Sequence, residues 1–81
     1  MSKGDDVADE LVGRLLIEGE RIGRFVVVKD IDGQTHAVAA GSVAAVCETD
    51  AGTLLMLPGG KLLHVARPMA LVLAWLDGRH G

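Results

Sequence analysis

Asparagine and tyrosine are absent from this 81-residue chain, and phenylalanine, tryptophan and cysteine occur once each. With Cys47 as the only thiol, an internal disulfide is excluded, and so is a cysteine-rich zinc cage. Phe25 and Trp75 are the only aromatics, too few for the stacking platforms that bind single-stranded nucleic acid beside basic residues. Long hydrophobic runs are missing too. The longest, residues 68–76, is far short of the roughly 20 residues a spanning helix needs. The first ten residues are acidic and lack the basic-then-apolar pattern of a signal peptide. The expected location is therefore the cytoplasm, in a bacterial host cell, with no membrane partner.

The formal charge of −3 hides an uneven distribution. Residues 1–50 hold ten acids against five bases, whereas residues 51–81 hold one acid against three bases. An acidic half is a poor phosphate-neutralising surface, because affinity for nucleic acid comes mainly from clustered Lys and Arg. It suits instead a protein partner with a basic surface, including one that normally holds nucleic acid. The candidate contacts are Asp5, Asp6, Asp9, Glu10, Glu18 and Glu20, with Asp30, Asp32 and Asp50 in predicted turns.

What is present is a succession of short apolar runs separated by turn signals. Ala8, Leu11, Val12, Leu15 and Leu16 have the i, i+3, i+4, i+7, i+8 spacing of a helix face, predicting a helix over residues 5–17. Residues 24–29 (RFVVVK) have the β-branched and aromatic composition of a strand. Asp30-Ile31-Asp32-Gly33 reads as a turn, and residues 34–38 as the returning strand of a hairpin. Residues 43–48 form a strand of small side chains, which predicts something bulky packed closely over it. Residues 53–57 and 61–65 are two more strands around the turn Pro58-Gly59-Gly60. Pro68 suits the first turn of a closing helix, apolar all round, with Gly78 as its stop. The fold class predicted is α+β in one small domain: an N-terminal helix, an antiparallel sheet of four or five short strands, and a C-terminal apolar helix.

Little chemistry is available within this layout. His36, Cys47 and His64 are the soft-ligand or nucleophile candidates, and none is at a metal-ligand spacing from another. The two histidines read as half-exposed strand residues and Cys47 as a small buried hydrophobe. Gly59-Gly60-Lys61 lacks the following Ser/Thr and the strand–loop–helix context of a phosphate loop. No catalytic residue, metal or cofactor is expected, and the chain reads as non-enzymatic.

The surplus is apolar. Alternation along a strand sends Leu55 and Leu57 to one face but Leu54 and Met56 to the other, and it likewise separates Leu62 from Leu63. A chain of this size buries only about 60–65% of its unfolded surface, and association is the common way to bury more. A homodimer is expected, with Leu54, Met56, Leu62, Leu71 and Trp75 as candidate interface residues.

From His36 onward the order of features resembles the small flagellar and swarming-motility FlbD/SwrD family. The matching text is residues 38–48 (VAAGSVAAVCE), then 53–61 (TLLMLPGGK), then Val65. It covers about half the chain, departing at Ala39-Ala40, where that family has Asn-Pro. The resemblance implies hairpins plus a terminal helix and a structural or regulatory role in motility. In overall character the chain is also similar to phage-encoded inhibitors such as anti-CRISPR proteins: small, acidic, cysteine-poor and without reactive motifs. That likeness implies occlusion of a basic nucleic-acid-binding surface on an effector complex.

Overall fold

A computed structural model describes residues 15–78. Its elements are strands β1 (Arg21–Ile22), β2 (Phe25–Lys29), β3 (Thr35–Ala39), β4 (Ala45–Thr49), β5 (Gly52–Leu57) and β6 (Lys61–Val65), followed by helix α1 (Met69–Asp77). The architecture is α+β. Where one sheet of four or five strands was expected there are two antiparallel sheets of three, ordered β1-β2-β3 and β4-β5-β6. The N-terminal helix expected over residues 5–17 falls, up to residue 14, outside the described residues, and residues 15–17 are irregular.

The split has a physical cause in the connector after β3. Ala40–Ser42 forms a single 3-10 turn, and Ala40 N donates to Arg24 O. The chain then leaves in extended conformation at Val43 and starts a second sheet instead of extending the first. Val26, Val28 and Val38 on the first sheet thereby share one core with Leu55, Leu63 and Val65 on the second. The strands of the two sheets therefore cover each other across that core. The sheets also join along one edge, where Asp30 bridges Val65 and Ile31 N donates to His64 O.

Strand β1 lies between the predicted helix over residues 5–17 and the predicted strand over 24–29, where the sequence predicts no element. Only two residues long, it pairs Arg21 with Val26 and Ile22 with Phe25. Nothing in so short a segment gives a period to read. Helix α1 follows Pro68 and ends at Gly78, whose φ of 72° is the left-handed cap conformation. It is not buried on several sides, as its apolar sequence suggested. Val72 alone is fully buried, Trp75 and Leu76 lean on the core, and Leu71 and Leu73 are exposed. With two sheets already closed over the core, one stripe of the helix is all that finds cover.

Candidate surface for protein binding

Register decides what each face of the second sheet carries. Ala45, Met56 and Leu62 form one cross-strand row, and Cys47, Leu54 and His64 the next. The intervening rows, Val46-Leu55-Leu63 and Glu48-Thr53-Val65, point the other way. Leu55, Thr53, Leu63 and Val65 are buried there, so this is the core face. The first two rows therefore lie on the outer face, where Leu62 is 55% exposed and Met56 39%. The six residues of these rows include no Asp, Glu, Lys or Arg.

The five expected interface residues do not form one surface. Leu54, Met56 and Leu62 share the outer face, as alternation predicted. Leu71 and Trp75 lie elsewhere, lining a groove of about 930 Å³ with Gly19, Arg21 and Gly23. Trp75 also packs against the core cluster, which puts it on the inward side of the second sheet.

The nine acids do not converge either. Asp5, Asp6, Asp9 and Glu10 lie outside the described residues. Glu18 Oε1 accepts from Arg67 Nε at 3.0 Å and Nη2 at 2.8 Å, and this carboxylate raises the Arg67 pKa above its ordinary value. Glu20 Oε1 accepts from Ile17 N at 3.3 Å. Asp30 is engaged through both oxygens. Its Oδ1 accepts from the backbone N–H of Asp32 and Gln34 at 2.9 Å each, and its Oδ2 lies 2.7 Å from His36 Nε2. The His36 hydrogen bond, then that from Gln34, holds the Asp30 carboxyl below its ordinary pKa. Among the described members of the expected acidic set, Asp32 and Asp50, exposed in two separate turns, are the two whose carboxylates serve no internal partner.

Candidate chemistry is equally dispersed. Cys47 is exposed on β4, contrary to the buried position expected, because it falls on the outer row of its strand. His64 stands two strands away from Cys47, across Leu54, and its ring is not directed to the thiol. The His64 ring instead meets Thr49 Oγ1 at 3.2 Å. Both histidines are half-buried strand residues, as expected. Among the described residues no group of three or more His, Cys, Asp or Glu is placed to hold a metal ion, and no helix is long and apolar enough to cross a membrane.

Several structural roles escaped the sequence reading. Thr53, fully buried, donates from Oγ1 to Arg67 O at 2.7 Å. Arg21 Nη2 reaches the last turn of α1, 3.2 Å from Leu76 O, where a cation complements the helix dipole. Both contacts join positions far apart in the chain, and no local pattern announces them. Comparison with protein-family models, with curated proteins and with solved structures found no match for this chain.

Proposed function

We propose that the protein is a non-enzymatic binding module that holds a protein partner against the outer face of β4-β5-β6. The observation that supports this is the composition of that face: Ala45, Cys47, Leu54, Met56, Leu62 and His64, mostly apolar and without Asp, Glu, Lys or Arg, with the large side chains of Met56 and Leu62 exposed. A contiguous exposed apolar patch commonly marks a binding site. The acidic residues are the weaker candidate. Glu18, Glu20 and Asp30 already serve internal partners, so of the expected acidic set a basic target would be left, among the described residues, with Asp32 and Asp50.

The test compares the wild-type chain with a Met56→Lys/Leu62→Lys variant as immobilised baits for proteins from a bacterial host lysate. Both substitutions are at exposed positions, where stability effects are ordinarily about 1 kcal/mol or less. The expected outcome is a defined protein retained by the wild type and reduced at least about tenfold on the variant, as the loss of ~1.4 kcal/mol would give. Equal retention by both baits, with matching melting temperatures, would overturn the assignment of this face.

A further inference from the structure

We propose that the free edge of β4 is a homodimer seam, in which a second copy aligns its own β4 antiparallel about a twofold axis at Cys47. Among the described residues β4 pairs only with β5, and none of them pairs with the backbone N–H and C=O groups of its other edge. Ala45, Cys47 and Glu48 are exposed along it. Sheet edges are ordinarily guarded by charged side chains, above all Lys, by Pro or by a covering element; β4 contains neither Lys nor Pro, and its one charged residue is Glu48. The corresponding edge of β6 is met by Asp30 and Ile31.

The one charged residue of β4, Glu48, restricts the register in which a second copy can pair. Keeping the two outer faces on the same side allows registers only in steps of two residues. Centred on Cys47, the pairing matches Ala45 with Thr49, Val46 with Glu48, and Cys47 with itself, using the whole strand. Centring on Glu48 would set two carboxylates opposite each other, which is destabilising. Centring on Val46 leaves Glu48 and Thr49 outside the strand-to-strand pairing. One register therefore pairs every residue of the edge with no like charges opposed, and a second copy of this strand supplies that complement.

Five residue pairs bury well under the roughly 800 Å² per partner of a stable interface, so the dimer is reversible, with a Kd on the order of micromolar or weaker. Its product is a six-stranded sheet whose outer face is twice that of one protomer. The seam rests on the binding-module reading only for what that doubled face would hold.

The experiment is light scattering of the purified full chain from low micromolar to near-millimolar protein, with Cys47→Lys and Leu62→Lys measured alongside. Like charges opposed at the axis should weaken the Cys47→Lys dimer about tenfold or more. Leu62→Lys, on the far strand of the same face, should dimerise as the wild type does. A short bismaleimide should join two wild-type chains through Cys47, whose Cβ atoms would be about 5 Å apart in the seam. It should not join chains carrying Cys47→Ser with Asp32→Cys. Matched melting temperatures exclude misfolding, and Cys47→Glu serves if the lysine variant is unstable. A monomer at every concentration, or a dimer untouched by Cys47→Lys, would overturn the seam. Loss of the dimer in Leu62→Lys would do so as well, moving self-association onto the face. Neither result would alter the partner-capture comparison of the Met56/Leu62 variant, so the two proposals fail separately.

Discussion

Gly52 opens β5 with a φ of 138°, a conformation that side-chain-bearing residues seldom adopt. A Cβ built there would overlap the carbonyl oxygen of Val65 and crowd Ala66 Cα, both backbone groups that cannot swing aside. Gly33, in the turn between β2 and β3, also has positive φ (84°), but open space surrounds it. The two glycines thus separate backbone strain from steric exclusion. Gly33→Ala should cost about 1–2 kcal/mol, the ordinary penalty for left-handed geometry. Gly52→Ala should cost more than about 3 kcal/mol, because the β5–β6 ladder must shift as well. Urea denaturation of both variants would read the difference. Equal losses would mean that the close approach of Gly52 to β6 is not maintained in solution.

At the scale of elements, the β2–β3 hairpin shows how a turn signal becomes a structural joint. Asp30 closes the turn through Oδ1, pairs with His36 through Oδ2, and bridges Val65 of the other sheet through its backbone. Its lowered pKa means that the folded protein favours the charged carboxylate. The resulting stabilisation is present above the unfolded pKa of about 4 and disappears as the pH falls through the lower, folded-state value. Asp30→Asn keeps an oxygen for the turn but removes the charge. Wild type should therefore melt above Asp30→Asn near neutral pH, and the gap should close on acidification below about pH 4. A gap independent of pH would show that shape, not charge, holds the hairpin. The turn itself was legible from Asp30-Ile31-Asp32-Gly33, as were β2, β3, β5, β6 and the limits of α1, because each rests on local composition or alternation. The bridge to Val65 was not legible. It depends on where the second sheet folds back, which the connector Ala40–Ser42 decides without any distinctive residue type.

At the scale of the whole molecule, the same distinction between local pattern and long-range packing governs the candidate surface. Alternation separated Leu55 from Leu54 and Met56, but it could not say which face the second layer would cover. The shared core of both sheets settles that: Leu55 is fully buried, while Leu62 on the opposite face is 55% exposed. Leu55→Ala should therefore cost about 2–5 kcal/mol, a large share of the roughly 4–12 kcal/mol a chain of this length possesses. In dilute solution Leu62→Ala should cost under about 1 kcal/mol, since more than half of its surface is still in water. The comparison gains force when repeated across protein concentration. Burying the outer face against another copy would make Leu62→Ala more costly at high concentration, by mass action, whereas edge pairing through β4 would leave its cost unchanged. Denaturation of both leucine variants at low and high concentration checks this, with a rise in wild-type stability expected in either case. A Leu62→Ala penalty equal to that of Leu55→Ala even at high dilution would mean that the outer face is covered within a single chain, removing it as the binding surface.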